Sequence, residues 1–210
     1  MIQGSDEWHV ARLGRVTASR VKDVMAQGRG GAPSATRRNY MMELLCQRLT
    51  GNREEGFTSA AMQRGTELEP VARSAYEIDK GVMVEEVGLI DHPRIKGFAA
   101  SPDGRVVLPT GRGGIEIKCP NTAQHIAVMQ SGKHDPQYEW QMLAQMACDD
   151  YDWVDFISFD DRLPSELQYV CYRFERDFNR IRTMESAVVE FLEELDELER
   201  EMRQRISEAA

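Results

Sequence analysis

Apolar positions recur three and four residues apart in the first and last thirds of the chain and crowd into short runs between them. The pattern predicts helices first, then strands interrupted by one helix, then a long closing helix. Val21, Val24 and Met25 follow two candidate N-caps, Thr17 and Ser19, which predicts a short helix over 19–26. Residues 28–38, GRGGAPSATRR, predict a glycine-rich basic loop, and Thr36 opens a helix with Tyr40, Leu44, Leu45 and Leu49 on one face, closed by Gly51. Over 59–79 the stripe is Leu68, Val71, Ala72, Ala75 and Tyr76. Pro70 interrupts it, and a proline in a helix interior costs about 3 kcal/mol, so a break or fresh start is expected near Glu67 to Glu69.

Strands are predicted at 82–90, 97–103 and 113–119, a helix at 136–149 with Trp140, Leu143, Ala144 and Ala147 on one face, and two more strands at 153–160 and 167–175. The last element, 177 to about 208, is an acidic helix with Phe178, Ile181, Met184, Val188, Phe191, Leu195 and Leu198 along its stripe. This order of elements predicts an α/β or α+β core around a mixed sheet, and a chain of 210 residues is expected to form a single domain, 1–210.

Charge changes the picture. The net charge of -9 argues against a polyanion partner, but its distribution does not. Residues 1–53 hold nine Lys/Arg against four Asp/Glu, whereas 149–210 hold eight against eighteen. Attraction to phosphate depends on the patch within a Debye length of roughly 8 Å, so a basic end suffices. The four cysteines, Cys46, Cys119, Cys148 and Cys171, form no CxxC pair and read as reduced thiols, most of them in the core. The N-terminus MIQGSDEWHV has neither the basic nor the apolar region of a secretory signal, and no membrane-length apolar run exists, so a cytoplasmic protein is expected. The absence of GxxxxGK[ST], GxGxxG and GxSxG removes the common nucleotide-binding and serine-hydrolase classes.

The candidate chemistry lies in SPDGRVVLPTGRGGIEIKCP, residues 101–120. On a strand Glu116 and Lys118 share one face while Ile115, Ile117 and Cys119 share the other. A carboxylate and an ammonium on so apolar a strand need compensation, and a divalent ion is one form of it, with Asp103 at the end of a paired strand as a second ligand. Magnesium takes a few carboxylate oxygens and keeps several waters. A lysine beside it can hold the attacking water and stabilise charge on a scissile phosphate. The same residues also admit a plainer reading, a PDG turn and a cross-strand ion pair on a solvated face.

SPDG followed by IEIKCP resembles the PD-(D/E)XK nuclease signature, and more narrowly the phage lambda exonuclease and YqaJ-type viral recombinase family. Three further segments agree in order. WHVARLGRVTAS (8–19) resembles the family's Trp-x(3)-Arg-x-Gly-x-(I/V)-Thr-Ala-Ser opening, RGTELEPVAR (64–73) its Gly-x(3)-Glu helix, and YEWQMLAQM (138–146) its glutamine helix. The likeness spans about residues 8–175. It implies a PD-(D/E)XK core in which Asp103, Glu116 and the backbone carbonyl of Ile117 hold a metal ion, Glu69 serves a second metal directly or through water, Lys118 is the catalytic lysine and Gln141 orients water or carboxylate. Glu67 is the alternative to Glu69, and Gln141 is otherwise a polar helix position. Arg12, Thr17 and Ser19 match the 5'-phosphate site of the family, and an arginine fork with hydroxyls at a helix N-terminus is a fitting anion site, although both hydroxyls can also serve as plain caps. Trp8 reads as packing, and His125 and His134 receive no role. One departure stands out: the phage enzyme has a basic residue on the loop after the lysine, where this chain has Gln124.

The resemblance implies a 5'-to-3' exonuclease that degrades one strand of linear double-stranded DNA to mononucleotides with two Mg2+ ions per site, or Mn2+ in their place. It further implies a homotrimeric ring, 3' single-stranded tails passed to a single-strand annealing protein, and a phage or prophage setting. The alternatives are an endonuclease of the same class, in repair or restriction, and an inactive DNA-end-binding module.

Overall fold

The structure is a computed structural model that describes residues 2–31, 34–53 and 59–208, so Ala32 and Pro33 of the predicted basic loop lie outside the described residues. Two sheets frame it. Strands β1 (Val16–Thr17), β2 (Ile90–Asp91) and β3 (Phe98–Ala100) form a small sheet in the order β1-β3-β2, with β1 parallel and β2 antiparallel to β3. Strands β4 (Gly104–Leu108), β5 (Gly111–Lys118), β6 (Trp153–Phe159) and β7 (Tyr169–Glu175) form the larger one in chain order, mixed because β5 and β6 run parallel. The predicted mixed sheet is therefore present.

Seven α-helices are seen among the described residues: α1 (Asp6–Ala11), α2 (Val21–Val24), α3 (Ala35–Thr50), α4 (Ala60–Lys80), α5 (Thr122–Ser131), α6 (Glu139–Asp149) and α7 (Phe178–Glu208). Period-2 alternation in the sheet builds two cores. Ile115, Ile117, Ile157 and Phe159 face α4, which buries Ala72 and Tyr76 against them. Val154 and Phe156 face α6 and join a larger core with α2, α3 and α7. The second face is the polar one, since Glu116 and Lys118 lie on it.

The departures from the predicted pattern have local causes. Helix α4 runs through Pro70 without the expected break. Pro70 is exposed, so the carbonyl it leaves without a donor can face water, while Ala72 and Tyr76 anchor the helix on the sheet. The predicted strand at 82–90 is reduced to β2 and a single bridge between Glu85 and Arg105, because the end of α4 captures its amides: Val82 donates to the Glu77 carbonyl and Val84 to Glu77 Oε1. The strand over 97–103 shortens to β3 and joins the small sheet. The hairpin partner of β5 is β4, whose short Val106–Leu108 apolar signal between glycines was too weak to read.

Helix 19–26 is only α2, preceded by a 3-10 turn at Ala18–Arg20, and neither Thr17 nor Ser19 caps it with its side chain. Ser34, not Thr36, caps α3. Helices α1 and α5 were not predicted. Helix α1 buries no residue, and α5 buries only His125 and Val128, so neither carries an apolar stripe. Phe178 is 68% exposed because the buried face of α7 begins one turn later, at Ile181. Only one cysteine, Cys148, is buried; Cys46 is exposed and Cys119 and Cys171 are half-buried, against the expectation of mostly core thiols.

The charge asymmetry is partly spent inside the molecule. Arg37 makes a bidentate pair with Glu194 at 2.7 and 2.8 Å, and Arg48 binds Asp196 at 2.5 Å and Glu199 at 3.2 Å, so basic α3 holds acidic α7 in place. Pairs of this exposure contribute about 0.2–1 kcal/mol each, so the buried stripe of α7, not its charge, carries most of the docking.

Close packing also sets residue choice on β5. A Cβ added at Gly113 would lie 2.3 Å from the Trp153 indole, whose ring is 6% exposed and cannot swing away. Gly113→Ala is expected to cost about 1–3 kcal/mol as overpacking, which at ~2–4 °C per kcal/mol lowers the melting temperature by several degrees. Thermal denaturation followed by circular dichroism checks this, and an unchanged midpoint would refute it.

Candidate active site

Four elements meet at the C-terminal end of β5. Glu116 points from the strand onto the α6 face and is 0% exposed. Its Oε1 accepts a hydrogen bond from Gln141 Nε2 at 2.7 Å and pairs with the Lys118 ammonium; its Oε2 accepts from Gln145 Nε2 at 2.5 Å. Gln141 and Gln145 are four residues apart on α6, so both amides project from one face of the helix. Lys118 extends past Glu116 with its Nζ 4.9 Å from the centre of the Tyr138 ring.

Asp103 brackets Glu116 along the backbone. Its N–H donates to the Ile115 carbonyl at 3.2 Å and its Oδ2 accepts from the Ile117 amide at 2.7 Å, one residue on each side of Glu116. Ile117 thus turns its polar backbone toward Asp103, on the side of β5 where β4 begins only at Gly104. Within a strand, the N–H and C=O of one residue point the same way, so the Ile117 carbonyl projects past the start of β4 beside the Asp103 carboxylate. Gly104 is a glycine for want of room: a Cβ there would meet Val84 Cγ1 at 2.2 Å and Ile115 at 3.1 Å, and its φ is not positive. The SPDG bend therefore also seats Asp103 close to β5.

Glu69 reaches the same region from α4. It is half-buried and held by Arg73 at 2.9 Å, while Arg73 also binds Glu86 at 2.6 Å. Glu67, the alternative, is exposed and accepts only from Gln63. Burial raises the Glu69 carboxyl, with Arg73 and Lys118 working against the rise. Burial and the neighbouring Glu116 carboxylate push Asp103 well above the usual carboxylate range. Burial alone would lower the Lys118 ammonium, but Glu116 and Asp103 outweigh it and hold it above its ordinary value, so it stays protonated. Cys119 lies beside these groups, and burial with the Glu69 charge lifts its thiol to about 11, which keeps it an unreactive thiol.

The chemistry of this set fits a hard divalent cation. Among the described residues no three His, Cys, Asp or Glu side chains come together so as to hold a metal ion. Two carboxylates, one carbonyl and room for water are nevertheless the donor set that Mg2+ takes, whereas a thiol kept protonated offers nothing to a soft metal. A carboxyl that burial and a neighbouring carboxylate push upward, as Asp103 is by Glu116, also marks a place where positive charge is wanted.

A second pocket, of about 170 Å3, opens between α1, the turn at Ala18–Arg20 and α3. Arg12, Thr17 and Ser19 all line it, together with Arg20, Tyr40, Glu43 and Arg53. Arg12 Nη2 donates to Thr17 Oγ1 and Nη1 to Ser101 Oγ, both at 3.4 Å, and its guanidinium lies 4.0 Å over the Trp8 ring. Arg20 in the same pocket is satisfied by Asp23 and Glu43. Arg12 has no carboxylate partner among the described residues, and burial brings it down to about 10, still charged at neutral pH. The pocket and the carboxylates are joined by one residue: Ser101 also accepts from Trp8 Nε1 at 2.9 Å and stands two positions before Asp103. Trp8 thus supports Arg12 from below and is itself tied to Ser101.

His125 and His134 are both tied into the fold. His125 is buried between Ser158 Oγ at 2.7 Å and the Leu167 carbonyl at 2.9 Å, and His134 binds Glu139 at 2.9 Å. Gln124 is exposed in the first turn of α5, so the segment after Pro120 is a helix start and not a loop. Gln145 and Ser101 are the contributors that sequence reasoning missed. The signal for Gln145 was its place four residues beyond Gln141; that for Ser101 was its position in SPDG.

Residues 7–152 match the YqaJ-like viral recombinase domain family. Two crystal structures of an alkaline exonuclease (LHK-Exo) from Laribacter hongkongensis, one in complex with dAMP, are 52% identical in sequence, with a TM-score of 0.90 covering 98% of this chain and 100% of that one. A phage related exonuclease from Haemophilus somnus 129PT shares 18% identity and a TM-score of 0.66 over 90% of this chain and 96% of that one, a likeness of fold alone. No curated protein matches the chain in sequence. The fold is thus of the PD-(D/E)XK type, a mixed sheet flanked by helices.

Asp103→Asn retains an oxygen for the Ile117 amide but deletes one of two adjacent like charges. The metal-free variant is expected to melt above the wild type while losing the stabilisation that millimolar Mg2+ gives. Thermal scans with EDTA and with Mg2+ read both effects; a variant that melts lower and still gains from Mg2+ would refute this account of Asp103.

Proposed function

The chain belongs to the YqaJ-like viral recombinase domain family, and from that premise we propose that it is a Mg2+-dependent exonuclease that degrades the 5'-ended strand of linear duplex DNA to mononucleotides. The observation that carries this reading is the pairing of the two sites: a half-buried arginine without a carboxylate partner among the described residues, joined through Ser101 to the carboxylates around β5. An enzyme that starts from a DNA end needs a seat for the terminal phosphate beside its cutting site. One that cuts within a strand does not.

In this reading Asp103, Glu116 and the Ile117 carbonyl hold the first ion, and Glu69 serves a second directly or through water. Bound metal supplies Lewis-acid stabilisation of the scissile phosphate and lowers the pKa of the attacking water. The chain's own residues do the rest. Arg12 binds the terminal phosphate by charge-assisted hydrogen bonds, with the Thr17 and Ser19 hydroxyls as further donors, and this fixes which phosphodiester enters the site. Lys118 is kept protonated by its two carboxylates, so it acts as a donor to the attacking water or to the phosphate oxygens and stabilises developing charge; it is not the base. Gln141 holds Glu116 in place.

The name and sequence identity of the Laribacter alkaline exonuclease support the exonuclease class, and its complex with dAMP is in keeping with a mononucleotide product. The finer features follow from the family resemblance: 5'-to-3' polarity, two Mg2+ ions with Mn2+ as a substitute, a homotrimeric ring around the duplex, and 3' tails delivered to a single-strand annealing protein. The reading also includes a phage or prophage origin, a cytoplasmic location and one nuclease domain over 1–210. Among the described residues no helix is long and apolar enough to cross a membrane. The gathering of Asp103, Glu116 and Lys118 speaks against the inactive end-binding alternative.

Linear duplexes with and without a 5'-phosphate, and closed circles, separate the readings when incubated with Mg2+. Mononucleotide release is expected to be fast from phosphorylated ends and slow from hydroxyl ends, and cutting of closed circles would establish the endonuclease instead. Arg12→Ala is expected to lower kcat/KM on phosphorylated ends by roughly 10- to 100-fold, as loss of a hydrogen bond to a charged group costs about 1.5–3 kcal/mol, with no effect on hydroxyl ends. Lys118→Ala should slow cleavage by about a hundred- to a thousand-fold. A near-normal rate would remove Lys118 from the chemistry.

A further inference from the structure

Gln145 belongs to none of the roles above, yet it is buried as completely as Glu116, at 0% exposure. Its amide makes one hydrogen bond, from Nε2 to Glu116 Oε2 at 2.5 Å, and its Oε1 is buried with no hydrogen-bond partner. An unpaired buried acceptor costs about 1–3 kcal/mol. The opposite orientation of the amide would set two oxygens against each other, so the amide must present its nitrogen to Glu116. A leucine or methionine at this position in an otherwise apolar stretch, Met142 to Cys148, would fill the core without that cost. The amide is therefore there for Glu116.

A carboxylate has about four lone-pair positions. On Glu116, Oε1 receives two donors, Gln141 and Lys118, and Oε2 receives one, Gln145. The remaining free position is on Oε2. The two glutamines, one on each oxygen, fix the plane of the carboxylate, since rotation about its last bond breaks both contacts.

We propose that Gln145 is a positioning residue that locks the Glu116 carboxylate plane and directs the free lone pair of Oε2 toward the cation, so that it sets the affinity of the site for Mg2+. This rests on the metal reading given above. Gln141 and Lys118 hold the carboxylate by one oxygen only; the amide of Gln145 on the other oxygen fixes the plane before the ion arrives. Partners of this kind, behind a ligand, typically change metal affinity by about 10- to 100-fold when removed.

Calorimetric titration of the full-length protein with Mg2+, without DNA, tests this. Gln145→Met conserves volume but removes the donor and is expected to weaken the Mg2+ dissociation constant by about 10- to 100-fold. Gln145→Asn keeps a buried amide withdrawn by one methylene and is expected to do the same, which covers failure of the first variant to fold. Met146→Ala, buried on the same helix with no bond to Glu116, should lower the melting temperature and leave Mg2+ affinity unchanged. Wild-type affinity in either folded Gln145 variant would overturn the proposal, as would an equal loss in Met146→Ala. If the wild type takes up no Mg2+, the metal reading itself fails and the proposal falls with it, an outcome distinct from the other two.

Discussion

A carboxylate with no exposure to water dominates this structure. Desolvating Glu116 costs several kcal/mol, and the cost is offset by donors from its own strand and from the helix laid across it. Lys118 comes from the same strand, and Gln141 and Gln145 from α6. Asp103 holds the backbone on either side of it. Helix α6 must lie across the sheet at one rotation to present both amides, and the bend at Ser101–Gly104 must deliver Asp103 at one register. Loss of any one contact leaves a buried charge short of partners.

The two faces of β5 divide the work. Ile115 and Ile117 lock the strand against α4 through purely apolar contacts, which gives the strand a rigid back. Glu116 and Lys118 occupy the front. On the α4 side Asp155 is buried in the sheet too, but it accepts from Tyr76 and from Arg173 and is thereby satisfied without any metal. The contrast is instructive: Asp155 meets a permanent arginine fork and a phenol, whereas Glu116 and Asp103 share a single lysine. A deficit of fixed positive charge is what a site awaiting metal should have. In the other pocket Arg12 shows the inverse arrangement, a fixed positive charge with no carboxylate partner among the described residues, and Ser101 ties the two imbalances together.

Much of this was readable in the chain. Alternation along IEIKC assigned Glu116 and Lys118 to one face, and the four ordered segments singled out Asp103, Glu69, Gln141, Arg12, Thr17 and Ser19, all of which lie in the carboxylate cluster or the pocket beside α1. What escaped were features with no periodic signature. Strand β4 is five residues between glycines, and α5 and α1 bury almost nothing, so neither hydrophobic period could report them. The extended segment after α4 looked like a strand by composition but had lost its amides to Glu77. Pro70 looked like a break because propensity ignores tertiary anchoring. Gln145 escaped because a glutamine on the buried face of a helix means nothing until its partner's position is known.

The central claim is that the charge deficit around Glu116 and Asp103 is filled by a divalent ion. Crystals grown with Mn2+ and measured near the manganese absorption edge test it directly. The account predicts an anomalous peak within coordination distance of Glu116 Oε2, an Asp103 oxygen and the Ile117 carbonyl. Manganese bound elsewhere, with these three oxygens contacting only protein, would contradict it.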